Sequence, residues 1–382
     1  VHLYGAAGHN LGDDAIALAA AHEIASRLPH AAIRVASVAG PAFTRRYGLP
    51  SLALNRRSPI GMLRLVDSVR RADVVLLGGG TLVQDRLGLS RFRGILAYAR
   101  QVAALAKAFG KPLGTLAIGV DELSTPRGRE YARDLLALVD ALVVRDERSL
   151  ALARSYAGAR PVDGVAAADP AYLLRHHPAA VAAASRPSPH GAYAVVSLVN
   201  EGMEFGPLLP ELTSAVRRLV ERHGVDKVLL VAMDTRPGEE LAVFRRWLAS
   251  APEVSRWAQV VTPRDAFEAH DLVSRARCVV AMRLHAMIFA LGRAPLVGIS
   301  RTTKTDSLLR SAGVRGLGFA EASSGARLAE LVDEVMADSR ALAVQAEHRG
   351  EQEDLARQGI ARLVEELTVG RSAAVVEAGA SG

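Results

Sequence analysis

The chain has 382 residues, half of them hydrophobic and only 4% aromatic, with a formal net charge of +7. That length exceeds one ordinary core, so two domains are expected, and Cys278 as the only cysteine excludes an intrachain disulfide and a thiolate metal cluster. No apolar run is long enough to span a bilayer and the first residues do not read as a cleavable leader, so a cytoplasmic protein is expected.

In chain order, "VHLY" reads as a strand feeding the loop "GAAGHNLGDD", and "AIALAAAHEIASRL" has helical periodicity. Strand "AIRVASV", a helix from Ile60 to Arg71, strand "DVVLLGGG", a helix from Phe92 to Phe109 and strand "PLGTLAIG" follow. A helix from Pro126 to Val139, strand "ALVVRD" and a helix from Glu147 to Tyr156 complete the first half. Alternation of this kind predicts a parallel sheet covered on both faces. The stretch between Arg175 and Tyr193, rich in Ala, Pro and His, has no clear period and reads as a linker.

The alternation resumes with "YAVVSLV", a helix from Leu208 to Arg222, "KVLLVAM", a helix from Glu239 to Leu248, "AQVVT", "CVVAM", a helix from Leu284, "APLVGIS" and a helix near Asp306. A long amphipathic segment, 326 to 367, closes the fold. The expected division is an N-terminal Rossmann-like domain over 1–175, a linker over 176–192, a C-terminal Rossmann-like domain over 193–325, a helical segment over 326–368 and a disordered tail over 369–382. Two such domains with parallel sheets facing a central cleft would bind ligands at the carboxyl ends of their strands.

The basic residues are nearly all arginine, scattered through helices among Asp and Glu, and lysine occurs only at Lys107, Lys111, Lys227 and Lys304. This reads as a solvated surface with no nucleic-acid partner. The charge is compatible with peripheral association at the inner face of a membrane or with a phosphorylated substrate. Homo-oligomerisation is left open.

The informative residues follow strands. In "GAAGHNLGDDAI" Gly5, Gly8 and Gly12 permit a tight turn and close backbone approach, ahead of a helix whose first N–H groups suit an anion. Asp13 and Asp14 are equally well read as helix caps, whereas Asn10 faces the expected cleft and could bond a substrate hydroxyl. In "LLGGGTLVQD" Gly78, Gly79 and Gly80 allow close approach beside Thr81, although such glycines often serve a turn alone. Arg145 ends the strand in "VVRDERSL", with a salt bridge to Asp146 or Glu147 as the bland alternative. "VVAMRLHAMIF" is the strongest motif: Leu284 can enter the core while Arg283 and His285 converge with a helix start, a good place for phosphate or carboxylate. A bound dianion would make His285 a proton donor. Lys304, in "GISRTTKTDSLL", lies nineteen positions after His285 on the next strand end, or is a surface lysine.

Taken in order, "NLGDDA", "GGGTLVQD", "RDERS", "DP" at Asp169 and Pro170, "MRLHAMIFA" and "GISRTTK" resemble the polysaccharide pyruvyl transferase family. The resemblance implies a GT-B-like pair of Rossmann-like domains. It implies a reaction in which phosphoenolpyruvate gives its pyruvyl group to two hydroxyls of a cell-envelope sugar or its lipid-linked precursor, releasing phosphate. Carried over by position, His285, Arg145 and Lys304 form the catalytic and donor-binding set. Arg283, Asn10, Gly79, Gly80, Thr81, Asp13 and Leu284 line the binding site, with no metal and no cofactor beyond the donor. Asp14 replaces a usual glutamate, Val199 a frequent arginine, and Arg301 a frequent aromatic. Two other readings compete: a nucleotide-sugar glycosyltransferase, with Asp234 as the acidic residue, and a non-catalytic basic binding module on the same fold.

Overall fold

The computed structural model describes residues 1–379 apart from 54–58, 87, 91–92, 159–161, 189, 201–203, 235, 237 and 326, and from 369 onward it describes backbone only. The chain forms two compact units, one of residues 1–9, 13–174 and 352–382, the other of residues 10–12 and 175–351. We refer to them as units 1 and 2.

Unit 1 contains β1 (His2–Tyr4), α1 (Leu11–Arg27), β2 (Arg34–Ser37), α2 (Pro41–Tyr47), β3 (Ser51–Ala53), α3 (Pro59–Arg71), β4 (Val75–Gly78), β5 (Thr81–Val83), α4 (Ile95–Ala108), β6 (Leu113–Val120), α5 (Pro126–Leu138), β7 (Ala141–Val144), α6 (Glu147–Ala157) and β8 (Gly164–Ala166). Among the described residues its sheet runs β3-β2-β1-β4-β6-β7-β8, with β5 paired to β6, and every pairing is parallel. Strands β4, β6 and β7 are buried at every residue, because helices cover both faces of a parallel sheet. The short helix α2 and strands β3 and β8 are elements that the periodicity did not mark. Phe92, the expected start of the third helix of the sequence reading, lies outside the described residues, and that helix, α4, is described from Ile95.

One buried carboxylate organises the far end of this sheet. Asp85, just past β5, accepts hydrogen bonds from the amides of Ser124 (3.2 Å) and Thr125 (2.7 Å) and from both hydroxyls, Ser124 Oγ at 3.1 Å and Thr125 Oγ1 at 2.7 Å. Thr125 in turn caps α5 by accepting from the Gly128 amide. Burial opposes ionisation of Asp85, yet these hydrogen bonds hold its pKa below the ordinary value. Asp85→Ala is expected to destabilise the protein by about 2–4 kcal/mol, since it strands several buried donors. The sign of the pH effect follows. The stabilisation is present above the unfolded carboxylate pKa and is lost as pH falls through the lower folded value, so urea melts at pH 7 and pH 3 should show the variant's deficit shrinking in acid.

Unit 2 contains α7 (Pro178–Ala184), β9 (Tyr193–Ser197), α8 (Leu208–His223), β10 (Lys227–Val231), α9 (Glu240–Ser250), β11 (Ala258–Val261), α10 (Ala266–Ser274), β12 (Cys278–Ala281), α11 (Leu284–Ala290), β13 (Leu296–Ser300), α12 (Thr303–Ser311), β14 (Gly316–Gly318), α13 (Phe319–Ala322), α14 (Arg327–Ala337) and the first part of α15 (Ser339–Gly379). The sheet order is β11-β10-β9-β12-β13-β14, all parallel. Strand order therefore reverses between β9 and β12, which opens a crevice at their carboxyl ends. The corresponding reversal in unit 1 falls between β1 and β4.

The stretch read as a linker holds α7. The single closing segment expected from 326 is two helices, because Asp338 interrupts it and its Oδ1 accepts from the Ala341 amide as a cap does. The later part of α15 belongs to unit 1, where Gly114 makes room for it: a Cβ there would lie 2.4 Å from Leu363 Cδ1. Of the expected tail, 380–382 lie outside the described residues and 369–379 are helical backbone. Among the described residues no helix is long and apolar enough to cross a membrane.

Candidate functional site

In unit 2 the motif "MRLHAMIFA" straddles the end of β12 and the start of α11. Leu284 is buried, as an apolar residue between two polar ones should be, and His285 is only 8% exposed. The imidazole lies against the backbone of Gly12: a Cβ on that glycine would come within 2.0 Å of His285 Nδ1. Gly12 has no positive φ, so its small size serves the histidine and not a turn. Gly12→Ala is therefore expected to displace His285 and cut turnover at least ten-fold while leaving far-UV circular dichroism unchanged; an active Gly12→Ala protein would show that the ring position is not critical.

Asn10 shares this unit. It bridges to Asp234, the Leu11 amide donates to the Met233 carbonyl at 2.9 Å, and Asn10 Oδ1 accepts from the Gly12 amide at 2.9 Å. Asn10 thus caps α1, a role that Asp13 or Asp14 could equally have held on the sequence alone. Its Nδ2 makes no hydrogen bond among the described residues. Asp14 instead accepts from the Gly8 amide (2.6 Å) and Tyr47 hydroxyl (2.8 Å), and burial pushes its pKa up to about 6. It pins the glycine loop, in which Gly8 takes φ 121.

Arg283 is 11% exposed in its side chain and is held by acids. Its Nε donates to Glu240 Oε1, and Nη2 lies 3.6 Å from Asp234 Oδ2. Glu240 is fully buried, and its other oxygen accepts from the amides of Met233 and Asp234. Burial pushes its pKa up to about 7, with Arg283 opposing that rise. Asp234 is forked by Arg236, with Nε 2.9 Å from Oδ1 and Nη2 2.5 Å from Oδ2. Because β9 lies between β10 and β12, this four-residue network crosses the crevice where strand order reverses. Glu240 was not singled out by the sequence: a glutamate opening an amphipathic helix ordinarily reads as a dipole partner. Lys304 stands in the first turn of α12, after β13, the neighbour of β12, so it and His285 follow adjacent strand ends.

Unit 1 holds the remaining candidates. Gly79 and Gly80 take φ 88 and 68 after β4, and a Cβ on Gly80 would lie 3.1 Å from Asp13 Oδ1. Gly5 abuts the carbonyl of Gly78, 2.0 Å from where its Cβ would be, so the ends of β1 and β4 close on one another. A small pocket here is lined by Gly5, Ala6, Asp13, Ile16, Gly78 and Gly79 among others. Arg145 follows β7, 9% exposed in its side chain, with Nε 3.3 Å from Asp146 Oδ2. The bland alternative of a salt bridge is therefore real, but it engages one nitrogen. Asp146 is also the N-cap of α6, accepting from the Ser149 amide at 2.7 Å, and its pKa lies below the ordinary value: burial opposes ionisation, but Arg145 and Ser149 outweigh it. Among the described residues no group of three His, Cys, Asp or Glu could hold a metal ion.

The sequence matches the family model described as polysaccharide pyruvyl transferase over residues 10–292, a span that ends before Lys304. No curated protein shows a significant sequence match. Among solved structures, UDP-GlcNAc 2-epimerase from Neisseria meningitidis bound to UDP-GlcNAc is similar at 12% identity and TM-score 0.63, over 96% of this chain and 100% of that one. The S. aureus MnaA–UDP structure is similar at 11% identity and TM-score 0.64, over 95% and 96%. Anabaena Alr3699/HepE in complex with UDP and glucose is similar at 13% identity and TM-score 0.54, over 98% and 99%. At such identities the likeness is one of fold: two parallel α/β sheets, as in GT-B-like proteins.

Proposed function

The chain belongs to the polysaccharide pyruvyl transferase family, and from that membership we propose that it transfers the pyruvyl group of phosphoenolpyruvate to two hydroxyls of a sugar in a cell-envelope polysaccharide or its lipid-linked precursor. The observation that carries this reading is the placement of His285 and Lys304 after adjacent strand ends in unit 2, with the imidazole fixed against Gly12.

The chemistry suits these residue types. His285 delivers a proton to the methylene carbon of the donor, which becomes a methyl group and leaves an oxocarbenium-like C2. One sugar hydroxyl adds to C2 and loses its proton. The C2–O bond to phosphate then breaks, phosphate departs with its electron pair, and the second hydroxyl adds to the regenerated cation, losing its proton to close the ketal. One proton enters the methyl group and one ends on phosphate, so the hydroxyl protons balance. Lys304 supplies cationic charge for carboxylate and phosphate, and Arg283 and Asn10 belong to the same unit as His285.

Phosphate release and a ketal mass increment on incubation with phosphoenolpyruvate and lipid-linked or free envelope glycans are the expected results. Unchanged acceptor across those glycans, with no phosphate released, overturns the proposal. A nucleotide-sugar glycosyltransferase is the runner-up, because the Neisseria and Anabaena proteins of like fold are described with UDP-sugar or UDP bound. Against it, the acid expected to hold a nucleotide, Asp234, has both oxygens engaged by Arg236.

A further inference from the structure

We propose that the first turns of α3, with exposed arginines at the same end of the sheet, dock unit 1 on an anionic phospholipid surface. This docking is independent of the pyruvyl-transfer reading and is tested without the reaction. The sequence concentrates its charge here. Residues 41–100 hold eleven arginines against three aspartates, with neither lysine nor glutamate, a formal +8 in sixty residues, whereas the whole chain carries +7. The rest of the chain is therefore close to neutral, and a local excess of this size points to an anionic partner.

The fold exposes apolar side chains in the same segment. Helix α3 buries Gly61, Leu65, Ser68 and Val69, so its outer face, Ile60, Leu63, Arg64, Asp67, Arg70 and Arg71, should be polar throughout if it only met water. Its last turns are polar: Asp67 pairs with Arg70 at 3.2 Å and with Arg71 at 2.8 Å. Its first turns are not. Ile60 is 63% exposed and Leu63 69%, after the exposed Pro59. Single exposed apolar residues are ordinary, but these two lie one turn apart on one face. Val38, 51% exposed, leaves β2 at the same end of the sheet. Helix α3 runs from the carboxyl end of β3 back to the start of β4, and α4, against which it packs, also begins at that end. Arg64 follows Leu63, and Arg93 stands two residues before α4; both are exposed, and neither has an acidic partner among the described residues. Apolar side chains that enter the acyl boundary, beside arginines that meet lipid phosphates, are what an interfacial helix presents. A nucleic acid would engage the arginines and leave Ile60 and Leu63 in water, so the lipid surface is the occupant that uses both.

The test is co-sedimentation of the full chain with phosphatidylcholine vesicles that contain or lack phosphatidylglycerol, for wild type, Ile60→Ser/Leu63→Ser and Arg64→Gln/Arg93→Gln. Expected for wild type is binding to the anionic vesicles only, lost between about 0.1 M and about 1 M salt as the Debye length falls from about 10 to about 3 Å. The serine pair is expected to bind at least about ten-fold more weakly and the glutamine pair about thirty-fold, each with the wild-type Tm, since all four side chains lie on the surface. Cys278 is buried, so an environment-sensitive thiol dye on Leu63→Cys reports that position alone. Its emission should shift to the blue on anionic vesicles, and the same dye on Ser155→Cys, near the end of α6, should not shift. No wild-type binding to anionic vesicles, equal binding to neutral ones, or wild-type affinity in either variant overturns the proposal. So does a Tm several degrees lower in the serine pair, which would show those side chains packed within the fold. Duplex DNA binding that depends on Arg64 and Arg93, without vesicle binding, gives the surface to nucleic acid and overturns the lipid. A dimer that the serine pair dissociates, again without vesicle binding, gives it to a second copy of the chain and overturns it too.

Discussion

His285→Gln is expected to lower kcat for pyruvyl transfer by roughly 10²- to 10⁴-fold, the range a positioned proton donor contributes. Glutamine fills nearly the same space against Gly12 and keeps hydrogen-bonding capacity, so the backbone of α11 has no reason to move. What it cannot do is deliver a proton to carbon. The expected signature is therefore a fall in kcat with little change in phosphoenolpyruvate affinity, because binding energy common to ground and transition states is left in place. Calorimetric binding beside steady-state kinetics separates the two quantities. If kcat survives, the proton reaches the methylene carbon from another group, and the role assigned to the histidine is lost.

Glu240→Ala carries the largest expected effect on stability, about 3–5 kcal/mol, because it leaves Arg283 buried without its principal counter-charge and strands the amides of Met233 and Asp234. The pH dependence gives this a second handle. Burial lifts the folded pKa of Glu240 to about 7, above the unfolded carboxylate value, so between those two pKa values the native state binds more protons than the unfolded chain. The contribution of this group to stability therefore declines as pH rises through that window, and is complete below it. Glu240→Gln removes the titration. Its stability relative to wild type should improve from pH 5 to pH 7, as read by urea midpoints at each pH. A constant difference between the two proteins across that range would show that Glu240 stays ionised throughout. Activity should fall too, since Glu240 orients an arginine at the head of the segment that carries His285.

Much of the fold was legible because its cause is local. Continuous apolar runs such as "DVVLLGGG" and "CVVAM" are buried on both faces, which parallel strands flanked by helices require, and β4 and β12 are there. Arg145, His285 and Lys304 each follow a strand, where the alternation alone places them. The short elements α2, β3 and β8 escaped, since seven residues or fewer leave too little period to recognise. The break at Asp338 escaped as well, because a capping side chain and a mid-helix aspartate look alike in one dimension.

The sequence by itself determined the alternation, the parallel sheets, the family motifs and the polar residues that must find partners. Only the tertiary structure decided which partners they find. Asn10, and not Asp13 or Asp14, caps α1; Asp14 pins Gly8 and Tyr47; Arg283 is bound to Glu240, forty-three positions away. Gly12 looks like a turn residue and is instead the space that His285 occupies. The physical reason is the same in each case. Backbone periodicity is fixed by neighbours a few residues apart, whereas hydrogen bonds, ion pairs and steric room near a site are set by strands that the fold makes adjacent and the sequence keeps far apart.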